Sequence, residues 1–337
     1  MSKIFRFIIP LIVIGGIAYL YFLKSNVSDN LKTEYLKIKS GTTVEDLTQQ
    51  LTTEGIIIDE TNFKQWVNWL DLKTVRAGRF KIKAGWSSYE LIKFLKNGEQ
   101  SPVKIVLNNE RTPEQVAGKV ARNLEQDSLA FLKIFNDKAL LDSLGLSRAT
   151  LMCLFLPNTY EFFWNVEPRK FLERMIKEYK KFWNVERLNA AKVQNLTPEQ
   201  AITMASIVDG EARNPEERRK VAGAYLNRLK QNMRLQADPT VQFALMEIEK
   251  TPSFRRLRNA DYLTPHPYNT YTHEGLPPGP VCMPEQSSID AVLKPEQHNY
   301  TFFCAKPDNS GLHNYAETYE QHLVNVKIYQ NWLNHQK

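Results

Sequence analysis

A fifteen-residue pattern occurs twice without a gap in the N-terminal third of the chain, at Lys37–Leu51 (KIKSGTTVEDLTQQL) and Lys81–Leu95 (KIKAGWSSYELIKFL). The shared positions read K-I-K-x-G-x-[ST]-x-x-[DE]-L-x-x-x-L. K-I-K alternates polar and apolar side chains, as a short half-buried strand requires. Gly41 and Gly85 supply the turn. Thr43 and Ser87 are placed to cap a helix, and Asp46 and Glu90, three residues on, complete a capping box. Leu47 and Leu51, like Leu91 and Leu95, then fall on one helical face. A degenerate third copy begins at Lys104-Ile105-Val106 and continues through Thr112-Pro113-Glu114-Gln115, with proline at the first helical position. Repeated strand, turn and capped helix predict a small α+β module.

Ahead of the repeat, Phe7–Leu23 is a run of 17 residues without a charge. At ~1.5 Å per helical residue it just reaches across a bilayer core. Lys3 and Arg6 precede it, so its N-terminus is expected to stay cytoplasmic and the rest of the chain to lie outside. A cleaved signal peptide is the rival reading, but no A-x-A site follows at Leu23-Lys24-Ser25-Asn26. Residues 1–24 are therefore expected to form a transmembrane anchor and 25–33 a linker. Residues 34–105 follow as the α+β module, 106–195 as a mainly helical connecting part, and 196–337 as a C-terminal domain.

The module resembles LysM domains in size and in its strand–helix units, which makes it a candidate glycan-binding unit as well as a plain spacer. Trp66, Trp69 and Trp86 are placed to stack on sugars or to fill its core. Charge gives little guidance about partners. The net charge is 44 − 37 = +7 over 337 residues. Without the three cations of residues 1–24 it is 41 − 37 = +4, too weak a bias to argue for nucleic acid. Cys153, Cys282 and Cys304 show no C-x-x-C spacing, and His313 and His322 have no third ligand at metal-site spacing, so no metal is expected. Cys282 and Cys304 are left as a pair or as free thiols.

Helices are expected near 114–123, 129–136, 138–144 and 177–181. Between the third and fourth of these lies Leu151–Trp164, rich in large apolar residues, with a turn expected at Pro157-Asn158-Thr159. It reads as core and connector, or as a cleft wall. Thr197-Pro198-Glu199-Gln200 then opens the helix AITMASIVDGEA. At roughly 100° per residue, Met204, Ile207, Val208 and Glu211 share a face, while Asp209 points elsewhere. An acid among apolar neighbours has a raised pKa and keeps its proton near neutral pH, as a general acid must. The bland alternative is a glutamate exposed where the helix frays at Gly210. Asn214-Pro215-Glu216-Glu217 caps another helix, to about Leu229, and Asp238-Pro239-Thr240 turns into a third. Residues 268–280, rich in proline, asparagine, threonine and tyrosine, are expected to be ordered loop with donors and acceptors suited to sugar hydroxyls.

Five blocks, MASIVDGEA (204–212), YLNRL (225–229), MRLQADPTV (233–241), YNTYTHEGLPPGP (268–280) and HNYAETYEQH (313–322), together resemble the MltG/YceG-type endolytic murein transglycosylase family. The plan of anchor, LysM-like module and C-terminal mixed α+β catalytic domain is similar too. The resemblance implies a lyase of the bacterial cytoplasmic membrane, with its catalytic domain on the periplasmic side. Such an enzyme cuts nascent peptidoglycan strands internally, without a cofactor, and ends their elongation. Cell-wall synthases are expected partners by analogy. The resemblance also makes Glu211 the catalytic acid, then base, and Gly210 a departure from a larger residue. Asn227, Arg228, Gln236, Asp238 and Thr240 are implied to shape the cleft, and Asn269, Thr270 and Tyr271 to contact substrate. Gly275, Leu276, Pro277 and Pro278 are implied to set the loop's backbone. A non-catalytic wall-binding scaffold is the competing reading. A pyridoxal-phosphate lyase is opposed by the topology and by the lack of a phosphate-cradling glycine-rich loop.

Overall fold

The computed structural model describes residues 15–16, 23–212, 214–251 and 256–335. The expected anchor lies almost entirely outside them, and among the described residues no helix is long and apolar enough to cross a membrane. The fold is mixed α+β, and the chain divides into two compact units.

The first unit comprises residues 1–105 together with 122–126 and 161–167. Its ribbon pairs β1 (Tyr35–Ile38) antiparallel with β2 (Gly78–Lys81). Helices α1 (Val44–Thr53), α2 (Glu60–Trp69) and α3 (Ser88–Asn97) complete it. Both capping boxes form: Thr43 with Asp46 on α1, and Ser87 with Glu90 on α3. Gly41 and Gly85 have φ of 82° and 76°, the left-handed turn that each copy needs after its lysines. Leu47, Leu51, Leu91 and Leu95 are buried with Leu36, Ile38, Phe63 and Phe80 in one apolar core. Of the tryptophans, Trp69 is exposed and meets Trp66 edge-on at 5.3 Å, whereas Trp86 packs at 5.1 Å from Phe94.

The third copy takes a different partner. Its strand β3 (Val103–Leu107) pairs with β4 (Asn158–Phe162), leaving only a bend at Pro157 where a full turn was expected. Thr112 accepts from the Gln115 N–H at 3.3 Å at the start of α4 (Pro113–Ala121).

The second unit holds residues 106–121, 127–160 and 168–337. After α4 come α5 (Ser128–Phe135), α6 (Lys138–Ser143), α7 (Pro168–Phe182) and α8 (Val185–Val193). The unit is centred on α9 (Pro198–Glu211), opened by a capping box of Thr197 and Gln200. Every residue from Ala201 to Val208 is buried, so α9 is a core helix on all sides rather than a helix with one apolar stripe. It packs against α10 (Arg218–Lys230), α11 (Asp238–Glu249) and α12 (Gln286–Leu293). A second antiparallel ribbon, β5 (Phe302–Ala305) with β6 (His313–Ala316), precedes the last helix, α13 (Tyr319–His335). All three cysteines are free thiols, so Cys282 and Cys304 do not pair.

Gly210 does not fray its helix. α9 continues through Glu211, and a Cβ on Gly210 would stand 2.7 Å from Cγ of Pro239. Its lack of a side chain lets the first turn of α11 approach the end of α9.

Candidate active site

The close approach of those helix ends creates the site. Glu211, the last residue of α9, accepts a hydrogen bond from Tyr225 Oη of α10 at 3.2 Å. The main-chain N–H of Asp238, at the start of α11, is near enough to favour its ionised form as well. Burial and the neighbouring Asp238 charge nevertheless prevail and push the Glu211 carboxyl up to about 7, while those two donors and the nearby Arg228 pull the other way. Tyr225 itself is fully buried and, with burial the main cause, is held well above the ordinary phenol range.

Glu211 opens into a cavity of about 210 Å³. Arg228, Gln236, Asp238 and Tyr271, all singled out in the sequence, line it, together with Phe303, Cys304 and Ala305 of β5 and His313 of β6. Asp209, the other acid of the DGE triplet, faces away. Its carboxylate accepts from Ser288 Oγ at 2.5 Å and lies 3.5 Å from Arg218. The one-helix geometry read from the sequence therefore holds for that pair.

Arg228 is buried, and its guanidinium is committed to the backbone. It donates to Thr301 O at 2.6 Å, Leu235 O at 2.7 Å and Arg234 O at 3.1 Å, and to Gln236 Oε1 at 3.2 Å. That fork joins the segment leading to α11 to the segment leading to β5, two stretches whose neighbours line the cleft. Gln236 sits at φ 53°, and its N–H donates to Thr270 O at 3.1 Å. Asp238 receives Tyr271 Oη at 2.7 Å and Tyr262 Oη at 3.5 Å.

The other residues singled out in the sequence lie behind this surface. Asn227 donates to His298 O and Tyr300 O, which holds the approach to β5. Thr240 and Thr270 are buried with their hydroxyls 2.9 Å apart, and Thr270 Oγ1 accepts the Ala237 N–H at 3.0 Å. Buried Asn269 donates to Tyr262 O and Thr264 O and accepts the Tyr271 N–H at 2.9 Å, which fixes the turn that presents Tyr271. Gly275 turns the loop at φ 77°, Leu276 packs on the core, Pro277 is buried and Pro278 exposed; none of the four lines the cavity. The 268–280 segment is ordered loop, as its composition predicts.

Sequence reasoning gave no site role to Tyr225 or to β5, and matched His313 to a family histidine without assigning it a role. His313 Nδ1 lies 2.8 Å from Glu217 Oε2, its main-chain N–H donates to Glu217 Oε1 at 2.9 Å, and Tyr315 Oη reaches the same oxygen at 3.3 Å. The available signal was the acid-rich turn Pro215-Glu216-Glu217, whose second glutamate is buried. A buried carboxylate requires partners, and the FFCA and HNYA strands supply them. A larger cavity of about 360 Å³ lies at the far end of α11, beside Phe243 and Glu247, but Glu211 is not in it. The smaller cleft is the candidate on chemistry rather than size. Among the described residues no group of three or more His, Cys, Asp or Glu side chains is arranged to hold a metal ion.

A model of the YceG-like family matches residues 36–328. The chain belongs to the YceG-like family. It is 27% identical over 332 residues to a Bacillus subtilis (strain 168) protein named endolytic murein transglycosylase, covering 92% of this chain and 89% of that one. A protein of the same name from Streptococcus pneumoniae (strain R6) is 25% identical over 341 residues, covering 93% of this chain. The aligned part spans only 62% of the pneumococcal protein's own length. Among solved structures, a YceG-like protein of Listeria monocytogenes, determined by crystallography at 2.6 Å, is similar with a TM-score of 0.57 and 25% identity. That match covers 86% of this chain and 98% of the Listeria chain.

Proposed function

We propose that this YceG-like protein is an endolytic peptidoglycan transglycosylase with Glu211 as its catalytic residue. The reading is carried by a carboxyl group held up to about 7 at the floor of a polar cleft, in a chain similar over most of its length to proteins named for that activity. At neutral pH a large fraction of Glu211 carries the proton that a general acid must give. In the proposed reaction it protonates the glycosidic oxygen between N-acetylmuramic acid and N-acetylglucosamine, and that bond breaks. The resulting carboxylate then takes the proton of the muramyl C6 hydroxyl, whose oxygen bonds to the anomeric carbon and closes a 1,6-anhydro ring. The proton count closes on Glu211, and no water is consumed. The Tyr225 hydroxyl steadies the carboxylate between the two transfers, and Arg228 holds the segments that line the cleft.

One observation favours a second reading, hydrolysis. Asp238 places another carboxylate in the same cleft, and ordinary glycosidases use two. Its Oδ1 is already engaged by Tyr271 at 2.7 Å, which leaves it poorly placed to activate water and keeps the lyase reading first. Mass spectrometry of uncrosslinked glycan strands treated with the full chain in detergent separates the two. Internal cuts ending in 1,6-anhydromuramyl, lost in Glu211→Gln, support the lyase. Reducing ends would make it a hydrolase, and retained strand binding without any cut would make it a wall-binding scaffold.

The finer role follows from the sequence. The uncharged Phe7–Leu23 run is the reason to propose a single-pass anchor in the cytoplasmic membrane, with the catalytic part outside. Held there, the enzyme would reach strands as they emerge and end their elongation beside cell-wall synthases. Two strand and capped-helix copies support reading residues 34–105 as a LysM-like module. Membrane fractionation of the full chain against one lacking residues 1–24 tests the anchor; equal partition of both into membranes would sink it.

A further inference from the structure

The outward face of the β1–β2 ribbon borders a cavity of about 500 Å³ formed entirely by the first unit. Lys37, Arg79 and Arg122 line it, with Tyr35 and Gln50 beside them and Glu54 as its one acid. Lys37 and Arg79 stand directly opposite each other in the ribbon register. Like charges in opposed positions repel, and a fold keeps them cheaply when an anion sits between them. Lys81, on the same face of the ribbon, has its own carboxylate, Glu34, at 3.1 Å. Among the described residues Lys37, Arg79 and Arg122 form no salt bridge, although two of them lie on the same ribbon as that pair. Glu54 instead accepts from Gln50 Nε2 at 2.9 Å.

Arg79 is already oriented. Its guanidinium lies 3.4 Å over the Tyr35 ring, and Nη1 donates to Pro102 O at 2.8 Å. The remaining N–H groups of the fork stay available. The same stacking covers one face of the Tyr35 ring. An oriented guanidinium with two further cations suits the tetrahedral oxygens of a phosphate. We propose that this cavity binds a phosphate or pyrophosphate group between Lys37, Arg79 and Arg122. Two sources carry that chemistry: the headgroup of an anionic lipid and a soluble phosphate ester. The site is separate from Glu211 and does not depend on the activity proposed there.

The test is calorimetric titration of the full chain, in neutral detergent, with inorganic pyrophosphate. One pyrophosphate is expected per chain. Lys37→Ala with Arg122→Ala should weaken it by at least about tenfold, the loss of charge-assisted hydrogen bonds. Both side chains are exposed, and an unchanged circular dichroism spectrum checks that the variant folds. Lys39→Ala with Lys83→Ala removes the same charge from the same unit and should leave binding unchanged, as should Glu211→Gln. Doping the micelles with phosphatidylglycerol or phosphatidylcholine distinguishes the sources. Displacement of pyrophosphate by the anionic lipid alone assigns the headgroup; no displacement by either assigns a soluble phosphate. Absence of pyrophosphate binding, or equal weakening in both double variants, overturns the site.

Discussion

Gly210 and Pro239 touch so closely that a Cβ on the glycine would stand 2.7 Å and 2.9 Å from two ring carbons of the proline. Proline cannot swing aside as a flexible side chain does. The contact sets the distance between the end of α9 and the start of α11, and so brings Asp238 close enough to act on the Glu211 carboxyl. Gly210→Ala should therefore separate the two helices. It is expected to cost about 1–3 kcal/mol of stability, the usual range for overpacking. Strand cleavage should fall more than binding. Urea unfolding beside single-turnover kinetics checks both; full activity with unchanged stability would show that the helix ends have room.

Glu211 should make stability depend on pH and, as the proposed catalyst, activity as well. Its folded value, about 7, lies above the ordinary 4.5, so folding favours the protonated form. The associated stability is fully present below pH 4.5 and is lost as pH rises to about 7. Glu211→Gln, neutral throughout, should gain on the wild type across that interval, by on the order of 3 kcal/mol, and hold a constant lead above it. Cleavage by the wild type should decline on the alkaline side with an apparent value near 7. A pH-independent stability difference between the two proteins would contradict the burial of this carboxyl.

Two substitutions should move that alkaline limb in opposite directions. The Tyr225 hydroxyl stabilises the Glu211 carboxylate, and the Asp238 charge opposes it. Tyr225→Phe should shift the limb to higher pH and lower the maximum rate by roughly tenfold through the lost hydrogen bond. Asp238→Asn should shift it to lower pH while retaining the main-chain N–H. Rate profiles between pH 5 and 9 (an interval spanning ~2 units either side of the expected value) read both shifts. Movement in the same direction would mean that these residues act only through structure.

Arg228 should not tolerate lysine. Its guanidinium serves three backbone carbonyls and the Gln236 side chain, and one ammonium cannot reach all four with the same geometry. Arg228→Lys should lose about 2–4 kcal/mol, because buried acceptors are left without donors. Cleavage should fall with it as the β5 wall shifts. Denaturant unfolding with a strand-cleavage assay measures both; wild-type values in each would remove Arg228 from the positioning role.

Much of this protein is local and therefore visible in its sequence. Caps and turns are short-range geometry, so Thr43 with Asp46, Ser87 with Glu90, and the left-handed Gly41 and Gly85 follow from spacing alone. The same holds for Asp209 and Glu211, since helical rotation by itself sends two residues separated by one to different sides. The helical period also predicted apolar neighbours for Glu211, but not that α9 would be enclosed on every side. That depends on what packs around it.

What tertiary structure decided is which distant residues meet Glu211. Tyr225 lies one helix away, Asp238 on the next, and Phe303 and His313 on a ribbon still further along the chain. Nothing in their spacing records that α9, α10, α11 and β5–β6 converge. The same distinction explains Gly210: read alone it is a flexible residue that weakens a helix end, and only Pro239 turns its missing side chain into a close contact. Local sequence specifies hydrogen bonds that close within a few residues. The cleft, and the raised pKa within it, arise from burial and from charges brought together by packing, which short-range pattern does not encode.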